Sequence, residues 1–353
     1  LSTNSAELQK VLSKQMAALN AAVKKILGDS LPVTHLDSLM EVLHEHREEK
    51  LSMDLIMKEW GQQDAFKVVQ RDELQNKLDL INGLKEWKWA LKEGFTGVGR
   101  ADYSVVLDDS LANFATYPWN HFTVPVLLAE RNKTAETALG VFEGQLRHAL
   151  DQIKLLRRTD LEAVGKYDAT VHDFQIAGLS WNELTDEEKK MVPPVLVLAT
   201  HKIFTQFSTS ALSEMLESGY PIKLFVLDNL NPNPENAAID FSTNANVFWP
   251  LIGNSSTTIS KVSLADANGM FAEMQSALET LNGAVVSILC PNTFAHNINP
   301  QRWRQLSDLA VNTRGYTPFS FNPATEGKSF GMKFNTQAVL QEKEQWLEVE
   351  LKH

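Results

Sequence analysis

The polar residues best placed for chemistry follow two neighbouring apolar runs: Thr200, His201 and Lys202 after the first, and Asp228, Asn229 and Asn231 after the second. Carboxylate and carboxamide oxygens are the hard ligands that Mg²⁺ prefers. An imidazole beside an ammonium group could instead meet a small anion without a metal. Ligands of open α/β sheets bind outside the carboxyl ends of the strands, so these two segments form the predicted functional edge.

The elements around these segments follow the pattern of a right-handed βαβ unit. Residues 195–198 (VLVL) are apolar and β-branched, which is typical of a strand buried on both faces of a parallel sheet. Residues 207–216 repeat apolar side chains with the spacing of one helix face, and Gly219 and Pro221 end that helix. Residues 222–227 predict the second strand.

Further strands and helices alternate along the chain. We predict strands at residues 102–107, 124–128, 258–262, 284–289 and 317–321, and helices at 134–161, 181–191, 267–281 and 301–312. This alternation predicts an α/β protein with a doubly wound parallel sheet. The loop after residues 284–289 would bring Asn292 and His296 toward the same sheet edge.

The N-terminal part has a different pattern. Residues 6–27, a stretch from Thr34 and residues 51–92 show helical periodicity, so we predict a helical segment over residues 1–93 and an α/β domain over 94–353. Residues 94–99 (GFTGVG) lack the strand and the Gly-Lys-Ser/Thr ending of a phosphate loop, which favours a boundary turn.

Composition limits the function classes. The 353 residues carry a net charge of −11, so neither nucleic acid nor an anionic membrane is an expected partner. No apolar run is long enough for a membrane span. Cys290 is the only cysteine, which excludes a disulfide framework and a multi-thiolate cluster on this chain and fits a cytoplasmic location. Because the chain starts at Leu1 without Met, we expect a region of a longer protein.

The second half resembles a known family. The strand AVVSIL with its loop CPNTFAHNI, and the stretch LAVNTRGYTPFSFNPATEGKSF, are similar to the C-terminal diphosphate-binding region of pyruvate:ferredoxin (flavodoxin) oxidoreductases. More broadly, they resemble thiamine-diphosphate-dependent 2-oxoacid:acceptor oxidoreductases. The resemblance is best over residues 193–335 and extends more weakly back to residue 96. It implies a thiamine-diphosphate-binding type of fold, thiamine diphosphate and magnesium as cofactors, and other domains or subunits as partners.

The resemblance also assigns positions at the predicted edge. His201 falls where the family has the magnesium-binding Asp of a Gly-Asp-Gly motif, and Thr200 and Lys202 fall on the flanking glycines. Asp228 is in register with the Asp of the next motif, Asn229 falls on a Thr ligand, and Asn231 falls where a backbone carbonyl binds. Magnesium accepts imidazole poorly, and side chains in place of glycines crowd the approach of phosphate. We therefore expect a degenerate site that has lost its cofactor.

Three functions remain open from the sequence. The first is one region of a large 2-oxoacid:acceptor oxidoreductase that is not catalytic alone, with the iron–sulfur clusters elsewhere. The second is a non-catalytic assembly domain that packs against an intact copy of the same fold. This function is compatible with an oligomer. The third is a metal-free binder of a small anion at Thr200, His201 and Lys202. Cys290 is interpreted as a buried small hydrophobe without a chemical role.

Overall fold

The computed structural model describes residues 5–27, 50–52, 68–113, 124–204, 209–228, 257–291, 299–313, 316–323 and 332–334. These residues form two compact units. One unit contains residues 3–100 and 146–192 and is mainly helical. The other contains residues 101–145 and the chain from residue 193 onward, and it holds the sheet.

The helical unit is built on two long helices, α1 (Ser5–Leu27) and α2 (Arg71–Lys92). Leucines that recur every three or four residues place one stripe of each helix in a common core, whose buried members include Leu8, Leu12, Leu19, Leu74, Leu78, Leu84 and Trp87. The second part of α3 (Thr134–Ala163) adds Leu156 to this core. The described part of this unit also contains two short helices, α4 (Ala169–Ala177) and α5 (Asp186–Lys189).

The prediction that residues 51–92 are helical throughout is wrong at residues 51–52 and 68–70. Lys50–Ser52 forms strand β1 and Val68–Gln70 forms strand β2, and the two strands pair antiparallel. The β-branched Val68 and Val69 favour an extended backbone. A local window of sequence does not show the pairing partner, and this pairing decides the conformation. The helix predicted from Thr34 lies outside the described residues.

Of two smaller predictions in this unit, one changes and the other agrees with the structure. Residues 181–191 form a 3₁₀ turn (Trp181–Glu183) followed by α5, because the Thr185 hydroxyl and the Glu188 carboxylate build a capping box that starts a new helix. Residues 94–99 form the expected turn. A side chain at Gly99, which has φ +74°, would place its Cβ only 2.3 Å from the Leu91 carbonyl oxygen.

Among the described residues, the sheet unit has eight strands in the order β10-β9-β7-β8-β6-β5-β3-β4. Their bounds are β3 Ser104–Leu107, β4 Val126–Leu128, β5 Val195–Thr200, β6 Ile222–Asp228, β7 Thr258–Ser263, β8 Ala284–Leu289, β9 Phe319–Phe321 and β10 Met332–Phe334. The strands from β4 to β7 in this order are all parallel. The predicted α/β class with a mostly parallel sheet is confirmed.

The sheet departs from a purely parallel arrangement at one edge. Strand β9 runs antiparallel to β7, and β10 runs antiparallel to β9. Alternation of apolar residues identifies a strand but not its direction, which depends on where the preceding connection returns. An antiparallel strand at the edge of an otherwise parallel sheet is a common arrangement.

Helices cover both faces of the sheet. Met270 and Ala277 of α7 (Ala267–Glu279) pack with Val286 and Ile288 of β8, whereas Ala310 of α8 (Trp303–Asn312) packs with Leu289. Adjacent residues of a strand point to opposite faces, so α7 and α8 lie on opposite sides. Helix α6 (Thr209–Glu217) and the start of α3 also belong to the described part of this unit.

Candidate functional site

The carboxyl end of β3 is organised by Asp108, which sequence analysis did not select. Its side-chain oxygen Oδ1 accepts a 3.0 Å hydrogen bond from the backbone N–H of Ser110 and a second bond from the Ser110 hydroxyl. Oδ2 accepts a 3.0 Å bond from the hydroxyl of Thr134, the first residue of α3. Asp108 and Thr134 are both buried, so this carboxylate serves to join the strand end, its following turn and the helix start.

Thr200 extends this network to the neighbouring strand. Its hydroxyl lies 3.3 Å from the hydroxyl of Ser110, and the backbone N–H of Asp108 donates to the Leu198 carbonyl at 2.9 Å. The chain leaves β3 toward β4 on one side and returns to β5 on the other. This reversal is a topological switch point, which is where α/β sheets form ligand crevices.

The predicted residues His201 and Lys202 follow directly in a 3₁₀ turn, His201–Phe204, which is fixed by the buried Ile203. Lys202 is exposed and His201 is half-buried. The Nδ1 atom of His201 is shielded from solvent and has no hydrogen-bond partner among the residues that the structure describes. Thr200, His201 and Lys202 thus lie together at the predicted sheet edge.

Asp228 is the last residue of β6, as predicted, and it is buried. Thr200 is paired with Leu227, so the ends of β5 and β6 lie side by side. Asn229, Asn231, Asn292 and His296 lie outside the described residues. The structure therefore brings together four of the six predicted site residues: Thr200, His201, Lys202 and Asp228.

A buried polar cluster surrounds Asp228. The backbone N–H of Cys290 donates to the Asp228 carbonyl at 2.8 Å. The ammonium nitrogen of Lys261 lies 4.3 Å from the ring centroid of Tyr316, whose hydroxyl donates to the Ser287 carbonyl at 3.2 Å. Lys261 pairs with Ser287 across β7 and β8, and Tyr316 covers this part of the sheet.

Burial and the Asp228 carboxylate determine the ionisation of this cluster. Burial lowers the pKa of Lys261, and the nearby negative charge of Asp228 partly offsets this effect. Burial, with a smaller contribution from Asp228, raises the pKa of Cys290 to about 12. The same two causes raise the pKa of Tyr316. At neutral pH, Cys290 is therefore a thiol and a poor nucleophile, because the thiolate is the reactive form.

A cleft of about 340 Å³ lies at the end of β7, between the start of α7, one side of α8 and strand β9. The residues that line it include Lys261, Asp266, Glu273, Asp308 and Phe319. Its volume is in the range of small-molecule sites. It is also a switch point, because β7 leads into α7 on one face and β8 leads into α8 on the other.

Sequence analysis missed the cleft and the Asp108 network. One signal was present for each: Asp108 directly follows a predicted strand, and Lys261 is a charged residue within another predicted strand. Tyr316 carried no local signal, because its contact with Lys261 joins distant parts of the chain.

Within the described ranges, no group of three or more His, Cys, Asp or Glu residues is placed to hold a metal ion. None of the described helices is both long enough and apolar enough to cross a membrane. No protein-family model matches the chain, and no curated protein matches it.

Proposed function

We propose that this chain is one region of a large 2-oxoacid:acceptor oxidoreductase of the thiamine-diphosphate-dependent type, in which it serves assembly and is not catalytic alone. The mostly parallel sheet with helices on both faces supports this proposal, as does the β5–α6–β6 unit with Thr200 and Asp228 at adjacent strand ends. The resemblance of residues 193–335 supplies the reaction class.

The main support for a degenerate cofactor site at this edge of the sheet is the hydrogen bond between Thr200 and Ser110. A glycine at position 200 would leave the backbone open to a phosphate oxygen, whereas the Thr200 side chain fills this position and bonds to Ser110. The carboxylate linked to this strand end through Ser110, that of Asp108, already accepts hydrogen bonds at both oxygens. It is therefore a poor substitute for the missing magnesium ligand, because metal binding would break these bonds.

The test is isothermal titration of thiamine diphosphate into the chain, with and without magnesium. We expect no magnesium-dependent binding by the natural chain. The triple variant Thr200→Gly, His201→Asp, Lys202→Gly restores the family motif, and we expect it to gain magnesium-dependent binding. Magnesium-dependent binding of thiamine diphosphate by the natural chain would refute the proposal that the cofactor site is degenerate. Failure of the folded triple variant to bind, with folding checked by circular dichroism, would remove the support for this type of cofactor fold.

A second function, a metal-free small-anion site at Thr200, His201 and Lys202, is favoured by the buried and unpartnered Nδ1 atom of His201 within the described part of the chain. A protonated imidazole at this position would give an anion one donor, and the exposed Lys202 would give another. We expect inorganic phosphate to bind the natural chain and not the Lys202→Ala variant. Lys166→Ala, at an exposed position of the helical unit, is the matched control. Unchanged phosphate binding by Lys202→Ala would refute this function.

A further inference from the structure

The end of helix α2 and the turn that follows it expose three large apolar side chains. Phe95 is fully exposed, Val98 is 80% exposed, and Trp89 is 43% exposed. The rings of Trp89 and Phe95 meet edge to face, with their centroids 5.2 Å apart. We call Trp89, Phe95 and Val98 the apolar patch. Leaving such side chains in water is unfavourable, so their grouping at one place indicates a contact surface.

The backbone of the turn holds the apolar patch in place. The Trp89 carbonyl accepts hydrogen bonds from the N–H groups of Glu93, at 2.8 Å, and Gly94, at 3.1 Å. The N–H of Gly99 donates to the Glu93 carbonyl at 2.8 Å, which closes the turn on the end of α2. The exposure of Phe95 and Val98 therefore follows from an ordered, hydrogen-bonded turn.

Lysines lie around the apolar patch. Lys88 and Lys92 belong to the last two turns of α2. The ammonium nitrogen of Lys88 donates a 3.0 Å hydrogen bond to the Ser13 hydroxyl of α1. Lys10 and Lys14 lie within one helical turn of Ser13 and are exposed, so the contact brings them to the same end of α2. Ammonium groups from two helices thus flank the exposed rings.

The local charge differs in sign from that of the whole chain. Residues 7–14 and 85–93 contain five lysines and three glutamates, whereas the chain has a net charge of −11. One of these glutamates, Glu93, pairs with Lys92 at 3.2 Å. Salt screens exposed charges beyond about 8 Å at physiological ionic strength. A surface that meets the apolar patch therefore experiences the local positive charge, and distant acidic residues oppose the contact little.

We propose that the apolar patch and its lysines dock the helical unit on a membrane surface that contains anionic lipids. Phe95 and Val98 enter the boundary between headgroups and acyl chains, and Trp89 lies at the headgroup level, where amphipathic rings are favoured. The lysines meet the lipid phosphates. Such a contact is peripheral and requires no spanning helix. This docking goes beyond the function proposed above and does not depend on it.

The composition of the surface favours a lipid over a protein partner. Aromatic residues together with lysines are typical of segments that lie in the bilayer interface, because lysine stems cover apolar surface while the ammonium groups reach the phosphates. Protein–protein interfaces are also enriched in aromatic residues, but they are depleted in lysine. The exposed cations around the apolar patch are all lysines on α1 and α2: Lys10, Lys14, Lys88 and Lys92.

The experiment is co-sedimentation of the whole chain with vesicles. One set is pure phosphatidylcholine, and the other contains equal parts of phosphatidylcholine and phosphatidylserine. We expect binding to the mixed vesicles, at least about fivefold weaker binding to pure phosphatidylcholine, and a further loss as salt is raised. Free inorganic phosphate, the same chemistry without a bilayer, should not displace the chain from the mixed vesicles.

The apolar part of the contact is tested by Phe95→Ser, which should weaken binding to the mixed vesicles by about tenfold or more. Phe174→Ser is the matched control, because Phe174 lies in α4, outside the apolar patch, and is 86% exposed. Circular dichroism checks that both variants fold. An equal effect of the two substitutions would show that the apolar patch has no special part in binding.

The charged part is tested by the pair Lys10→Gln and Lys14→Gln, which should weaken binding to the mixed vesicles by about tenfold. Lys24→Gln with Lys25→Gln is the matched control, since these exposed lysines begin about 15 Å further along α1. Equal losses in the two pairs would refute a local surface at the patch end of α1.

Two further results would overturn the proposal. The first is failure of the natural chain to bind the mixed vesicles. The second is self-association of the chain that Phe95→Ser abolishes while vesicle binding is unchanged, which would assign the apolar patch to a protein contact. None of these results bears on the binding of thiamine diphosphate, so the two proposals fail independently.

Discussion

The hydroxyl of Thr134 donates a 3.0 Å hydrogen bond to Oδ2 of Asp108, and both side chains are buried. This contact ties the first residue of α3 to the residue that follows β3. Through Ser110, the same carboxylate is linked to Thr200 at the end of β5. The carboxyl edge of the sheet is therefore stabilised by a buried charge whose oxygens are all satisfied from within the chain.

Thr134→Val should destabilise the sheet unit. The substitution keeps the shape of the side chain and removes a hydrogen bond to a charged acceptor, for which we expect a loss of about 1.5–3 kcal/mol in the free energy of unfolding. Urea denaturation measures this change. Thr137→Val is the matched control, because the Thr137 hydroxyl donates to the backbone carbonyl of Lys133, the uncharged acceptor just before α3. Equal losses in the two variants would contradict a special role of the Asp108 contact.

Lys223 should make stability depend on pH. Its pKa is lowered from 10.5 to about 7 by burial, so between these values the unfolded chain holds a proton that the folded chain has released. The unfolded state then binds more protons, and the free energy of unfolding rises with pH by up to about 1.4 kcal/mol per pH unit. Urea denaturation between pH 7 and pH 10 would measure this rise.

The matched variant for this prediction is Lys223→Met, which keeps a long apolar side chain and has no titrating amine. The stability difference between the natural chain and Lys223→Met should change with pH across the same window. A difference that is independent of pH would show that the Lys223 amine keeps its proton in the folded state.

The buried ion pair of Lys77 and Glu162, 3.0 Å apart, should stabilise the helical unit only as a complete pair. The two side chains are 5% and 9% exposed, so removal of either one leaves a buried charge. We expect Lys77→Met or Glu162→Leu alone to cost about 3–5 kcal/mol, and the double variant to recover most of this loss. A double-mutant cycle by thermal denaturation measures the coupling. Losses of stability that simply add in the double variant would disprove the coupling between Lys77 and Glu162.

Cys290 should react slowly in the folded chain. Burial and Asp228 raise the pKa of its thiol to about 12, so little thiolate is present at pH 8. Ellman's reagent gives a direct readout because the chain has a single cysteine. We expect slow reaction in buffer and fast reaction in concentrated urea. Similar rates in the two conditions would mean that the thiol is accessible and ionised in the folded state.

The sequence alone predicted most elements of the sheet unit, although strand β10 (Met332–Phe334) was not among them. The runs that became β5, β6, β7 and β8 are dense in β-branched and apolar residues, and the helices between them show the 3.6-residue period. Both patterns are local in the sequence, so they can be recognised without knowledge of the fold. The position of Thr200, His201, Lys202 and Asp228 at strand ends followed from the same pattern.

Other features of the protein depend on its tertiary structure and are not contained in local sequence patterns. The pairing of Val68–Gln70 with Lys50–Ser52, and the antiparallel direction of β9, depend on partners distant in sequence. The cleft at Lys261 exists only because β7, α7, α8 and β9 meet there. Burial at this position lowers the pKa of the Lys261 amine, and the carboxylate of Asp228, which is distant in sequence, partly offsets this effect. Sequence periodicity reports which side chains are buried, whereas the chemistry of a buried group depends on the neighbours that folding brings to it.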